Sequence, residues 1–200
     1  MKRILVLICC SLLLLGAVAG CGNKASDKSA NDTGNADKTK IVVGCTAKPH
    51  AEILEVVKPL LEKENVDMEI KVFTDYVQLN PALKDGQIDA NFFQHIPYLE
   101  DYNKNNDANL QWTVKVHNEP MGIYSKQIKS LDKLAEGAVV GIPNDATNGG
   151  RALMVLEKAN LIKLKEGSGV NATDKDIVDN PKNLKITMMD AAILPRTLND

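Results

Sequence analysis

From Lys40 onward the chain alternates between two hydrophobic rhythms. Short apolar runs are followed by segments whose apolar residues recur every three or four positions. KIVVGCT, Lys40 to Thr46, predicts a buried strand. In PHAEILEVVKPLLEKEN, residues Ile53, Val56, Val57, Leu60 and Leu61 share one helical face. Pro49 suits the first turn of that helix, and Pro59 should kink or restart it. DMEIKVF sets Met68, Ile70 and Val72 against Glu69 and Lys71, which predicts a half-buried strand. DYVQLNPALKDGQ predicts a helix ended near Gly86. IDANFF predicts a third strand, and HIPYLEDYNKNN another helix. WTVKVHN and MGIYSK predict two further strands, split by Glu119 and Pro120.

The rest of the chain repeats the scheme. SLDKLAEGA predicts a short helix with Ser130 as N-cap. AVVGIP predicts a strand, and TNGGRALMVLEKANL a helix with Leu153, Leu156 and Ala159 on one side. TDKDIVD suits a short helix, LKITMM a strand, and DAAILPRTLND a helix that Pro195 interrupts. Alternating strands and helices define an α/β fold with mainly parallel sheets. The join near 118–121 divides it into 40–119 and 120–200, each about 80 residues and small for an independent domain. Two lobes facing a cleft fit that division, and such clefts favour small ligands.

The first residues follow another pattern. Lys2 and Arg3 precede a 16-residue apolar run, Ile4 to Ala19, shorter than the ~20 residues a membrane-spanning helix needs. Small residues follow in Val18-Ala19-Gly20-Cys21, so residues 1–20 are a secretory signal peptide. Its end resembles the lipobox of bacterial lipoproteins, in which the cysteine, here Cys21, becomes the lipidated N-terminus. Residues 22–40 lack any large apolar side chain and predict a disordered tether with a reach on the order of 25 Å. The intervals are thus signal peptide 1–20, lipidated cysteine and tether 21–39, and the folded part from 40. Removing the signal peptide leaves only Cys21 and Cys45, so lipidation of Cys21 leaves Cys45 without a disulfide partner.

Charge and composition narrow the chemistry. Hydrophobic residues are 44% and charged residues 25% of the 200, as in an ordinary globular protein. Loss of Lys2 and Arg3 with the signal peptide takes 24 basic residues to 22 against 26 acidic, moving the net charge from −2 to −4. Nothing in that balance favours nucleic acid. His50, His95 and His117 show no metal-ligand spacing, so no metal or other cofactor is expected. No nucleophile elbow is present, and the chain does not read as an enzyme. AVVGIPNDATNGGRALMVLEKANL places Arg151 just inside a helix after a Gly-containing turn. The layout suits an anion, yet it matches no phosphate loop, and a capped helix with a solvated or paired Arg151 is the plain alternative. Aromatics are only 4% of the chain, yet Tyr76, Phe92, Phe93, Tyr98 and Tyr102 crowd into one stretch around His95. Phe92 reads as core. Tyr76, Phe93 and His95 are candidates for an apolar pocket with a polar edge.

Several ordered segments carry a resemblance. PHAEIL, TDYVQLNPALKDGQIDANFFQHIPYL, EPMGIYSKQIKSLDKL, IPNDATNGGRALMVLEKANLIKL and NPKNLKI together resemble the NLPA lipoprotein family, the methionine-binding lipoproteins of ABC importers. The resemblance runs from Lys40 to Asp200, and the lipobox at Cys21 fits it. It implies the two-lobed periplasmic-binding-protein type II fold and no enzymatic activity. It also implies a methionine or related ligand, a permease with its ATPase as partners, and lipid anchoring to the cell membrane. Carried over motif by motif, the ligand-binding residues are Arg151, Asn148, Tyr76, Phe93 and His95. Gly149 stands where many relatives have Glu, and Cys45 where Ala is common. Family members continue past LPRTLND through an NGNYA-like segment that supplies further contacts. By that comparison the second lobe and return segment are incomplete at Asp200, and the resemblance implies weak or no methionine binding and low stability at this length. A binder of another amino acid or short peptide, and a non-transport surface lipoprotein of adhesin type, are the alternatives.

Overall fold

The structure, a computed structural model, describes residues 38–199. The signal peptide, Cys21 and nearly all of the tether lie outside them. Three parallel strands, β1 (Thr39–Thr46), β2 (Val66–Phe73) and β3 (Ala90–Phe92), form the first sheet in the order β2-β1-β3. β1 is central and its side chains alternate between two helical layers. Val43 and Cys45 pack with Leu54 of α1 (Glu52–Lys63) and with Met68. The opposite face carries Val42 and Gly44 against Leu79 and Ala82 of α2 (Leu79–Lys84), together with Ile88. A Cβ on Gly44 would lie 2.5 Å from the Ile88 side chain and 2.8 Å from that of Leu79. Glycine there lets α2 sit directly on the sheet. Cys45 is a fully buried free thiol.

A second parallel pair, β4 (Val139–Pro143) and β7 (Lys185–Met189), packs with α4 (Ala146–Lys158). Ile142, Leu153, Leu156, Ile162 and Leu184 form its core. A short antiparallel pair, β5 (Lys163–Leu164) and β6 (Ile177–Asp179), flanks it. α3 (Ile96–Asn106) follows β3 and ends on Asp107 in the left-handed conformation, φ 46°. The expected α/β fold with mostly parallel sheets is therefore the fold observed.

Four local expectations are corrected. Pro59 neither breaks nor restarts α1, which is assigned as one helix from Glu52 to Lys63. Both Pro59 and Glu55, whose carbonyl loses its i+4 donor, are exposed, so water can serve that carbonyl. WTVKVHN and MGIYSK form no strands. A strand needs a neighbour for its N–H and C=O groups, and among the described residues none pairs with this segment. Trp112, Val114 and Val116 stay more than half exposed along it. Ser130 precedes only a 3-10 turn, Leu131–Lys133, and its hydroxyl donates to the Asp132 carboxylate instead of capping the turn. TDKDIVD divides into a 3-10 turn, Asp174–Asp176, and β6.

Candidate functional site

The C-terminal ends of β1, β3 and β4 open onto one cleft of about 2290 Å³. Ligands of α/β proteins bind outside the carboxyl ends of parallel strands, because the connecting loops and helix starts gather there. Two helices begin at the cleft. His95 is the N-cap of α3, and Asp145 the N-cap of α4.

Each cap orients a side chain expected from the sequence. Nδ1 of His95 accepts from the Tyr98 backbone N–H at 3.0 Å. That nitrogen therefore carries no proton, and Nε2–H is left to donate to Asn148 Oδ1, 3.1 Å away. The same Asn148 oxygen accepts from Arg151 Nη1 at 2.9 Å. Arg151 Nη2 donates to the Glu119 carbonyl at 3.0 Å. Two donors on one amide oxygen fix the amide's orientation. Two acceptors on one guanidinium hold a half-buried cation in place. No ion pair among the described residues involves Arg151. A cation so positioned without a carboxylate partner is prepared to receive an anion.

Tyr76 and Phe93 provide an aromatic wall. Their rings stack with centroids 6.4 Å apart, and Tyr98 meets both edge-on at 5.6 and 5.9 Å. The Tyr76 hydroxyl donates to Asp145 Oδ2, which joins the segment after β2 to the start of α4. Burial, followed by the bond to Asp145, holds the Tyr76 phenol well above its ordinary pKa. Burial, reinforced by the charge of Asp145, pushes Tyr98 up to about 12. Behind the wall, the fully buried Asn80 exchanges side-chain hydrogen bonds with Asn91 and Gln94 at 2.8–2.9 Å, which braces the chain just before His95.

The structure thus brings Arg151, Asn148, Tyr76, Phe93 and His95 to one cleft. One feature differs from the expected anion site. Asp145 Oδ1 accepts from the Asn148 backbone N–H at 2.9 Å, so the start of α4 is capped by the chain's own carboxylate. Arg151, further along the helix, is the group left for an anion. Asp145 and Tyr98 were not singled out as site residues. An Asp immediately before a helix is a readable capping signal, and Tyr98 lies within the aromatic crowd. Phe92, expected in the core, does pack against the first-sheet cluster. The buried His50 ring has its pKa lowered by desolvation, an effect opposed by Glu119 and aided by His117.

Parallel sheets flanked by helices, with polar and aromatic groups gathered where strands end, match the α/β fold of the MetQ-type periplasmic binding proteins. A methionine-binding protein, MetQ, superposes with a TM-score of 0.78 at 45% identity, covering 80% of this chain and 66% of that one. A nutrient-binding protein from Burkholderia cenocepacia, solved bound to methionine, gives 0.77 at 45% identity, covering 80% and 68%. The probable D-methionine-binding lipoprotein MetQ of Vibrio cholerae is 46% identical over 184 residues, 92% of this chain and 65% of that protein. The NlpA lipoprotein profile matches residues 41–200. The chain belongs to the NlpA lipoprotein family, and it spans 65% of the length of the Vibrio cholerae relative.

Proposed function

We propose that this protein is the solute-binding component of an ABC importer, that it takes methionine between lobes 40–119 and 120–200, and that it is not an enzyme. The observation that carries the reading is the guanidinium of Arg151, fixed beside an aromatic wall and without an ion pair among the described residues. An amino acid brings a carboxylate for Arg151, and Asn148 lies within reach of its polar end. A thioether on Tyr76, Phe93 and His95 gains roughly 0.3–1.5 kcal/mol per sulfur–aromatic contact. The cleft exceeds the roughly 300–1,000 Å³ of a typical ligand pocket, so one amino acid would fill only its polar and aromatic end. The methionine named for the relatives supports the same choice. In this reading the protein is exported, is anchored through lipid on Cys21, and delivers ligand to a permease and its ATPase.

Trp112 lines the cleft and is 54% exposed, so its emission reports on occupancy. Titration with methionine should give a saturable change, whatever the affinity, and Arg151→Ala should weaken it more than tenfold, as expected for loss of a charged hydrogen-bonded partner. Saturation by methionine that is unchanged in Arg151→Ala would remove Arg151 from the site. No saturable response to methionine or to a panel of other amino acids would overturn the binding role.

A further inference from the structure

In the lining of the same cleft, three side chains able to ligate a metal converge from distant parts of the sequence. His50 follows β1 in the turn Ala47–Ala51 and is only 4% exposed. His117 and Glu119 lie in the segment that joins no sheet. His117 Nε2 is 3.0 Å from Glu119 Oε1, and His50 Nε2 is 3.6 Å from the same atom. One ligand atom from each of the three can be chosen so that all lie within 4.8 Å of one another. Phe92 packs edge-on against both imidazoles, with centroids at 4.7 and 5.5 Å.

We propose that His50, His117 and Glu119 form a binding site for one zinc-class divalent cation. Two imidazoles and a carboxylate are a borderline ligand set that suits zinc and its neighbours better than calcium or magnesium. Zinc–ligand bonds of roughly 2.0–2.1 Å in a tetrahedron put neighbouring ligand atoms about 3.3 Å apart. The 3.0 and 3.6 Å separations at Glu119 bracket that value, and the imidazole–imidazole side, within 4.8 Å, closes by side-chain rotation on binding. An orienting partner is also in place. Thr46 Oγ1 lies 2.7 Å from His50 Nδ1 and can accept its proton, which leaves the Nε2 lone pair for the metal. Water completes the coordination. The ion would tie the unpaired 117–119 segment to the end of β1. Through the Glu119 carbonyl it would also steady the guanidinium of Arg151. Without an ion, the same groups form a plain imidazole–carboxylate cluster, and the two descriptions differ in what they predict.

The test uses the full chain, purified in detergent without added histidines, and titrated with Co2+ and then Zn2+. Processed at Cys21, the chain keeps only Cys21 and Cys45, the same in every variant, so any thiol binding is common to every sample. The expected result is one saturable equivalent with visible Co2+ bands, displaced by Zn2+ and not by Mg2+, and a higher Tm with zinc. His117→Ala and Glu119→Gln, both at partly exposed positions, should lower zinc affinity at least about tenfold, and Thr46→Val about 10- to 100-fold. Circular dichroism of each metal-free variant checks that it folds. A wild-type chain that binds no zinc overturns the proposal. So do folded His117→Ala and Glu119→Gln variants that bind zinc as the wild type does.

Discussion

The hydrogen bond from Tyr76 to Asp145 is the most direct physical tie between the aromatic wall and the start of α4. A double-mutant cycle measures it. Tyr76→Phe removes the donor and keeps the ring stacked on Phe93. Asp145→Asn keeps an oxygen to cap α4 through the Asn148 N–H but removes the charge and the second acceptor. A hydrogen bond to a charged group contributes about 1.5–3 kcal/mol. Both residues are only partly buried, so a coupling of about 1–2 kcal/mol is expected. Asp145→Asn also loses the 3.2 Å bond from Asn148 Nδ2, so it should be the more damaging single change. In a domain of this size each kcal/mol corresponds to roughly 2–4 °C in Tm. Urea unfolding of the wild type, both singles and the double gives the four free energies, and equal m-values check that the unfolded states are comparable. Single-variant losses that add to within about 0.5 kcal/mol would refute the tie.

Two further predictions concern packing and pH. A Cβ on Gly150 would lie 2.0 Å from the Val170 carbonyl oxygen, so Gly150→Ala should destabilise by about 1–3 kcal/mol despite alanine's better helix propensity, and a melt at or above the wild-type Tm would contradict the packing. Tyr98 has its phenol raised from 10.0 to about 12, so the stability it contributes is complete below pH 10 and is lost as pH rises toward 12, where the unfolded chain releases the proton more readily. Denaturant midpoints across that window should fall less steeply in Tyr98→Phe than in the wild type, and equal slopes would count against the assignment.

The sheets were legible because their strands carry local evidence. β1 is a continuous apolar run and β2 an alternating one, and each reads the same whatever surrounds it. WTVKVHN alternates just as clearly, yet alternation predicts only which side chains share a face. Whether a neighbour exists to pair with is a long-range fact, and here none of the described strands lies beside it. The site divides along the same line. Arg151 and Asn148 were readable because a strand, a turn and a helix lie in one short stretch. The second hold on Arg151, beside that of Asn148, comes from the Glu119 carbonyl, which no residue-type pattern signals. The meeting of His50 with His117 and Glu119 likewise depends on how β1 and the later segment come together. Asp145 was missed for another reason. Two local claims compete for the α4 N-terminus, an outside anion and the preceding side chain, and the nearer carboxylate wins.

That cap also bears on how long the site lasts. Asn148 is followed by Gly149, a pair that in a loose chain slowly closes to a succinimide with loss of ammonia and is reopened by water to aspartate or isoaspartate. The ring closes when the Gly149 nitrogen attacks the Asn148 side-chain carbonyl carbon. In α4 the Gly149 N–H is held by the Asp145 carbonyl at 2.8 Å, and Asn148 is clamped by its bonds to Arg151 and His95. Helical geometry keeps the nitrogen from its target. Were the cap to fray, ageing would place a carboxylate against Arg151 and cancel the charge that an incoming anion needs. The residues that begin the helix therefore also protect the site against chemical decay.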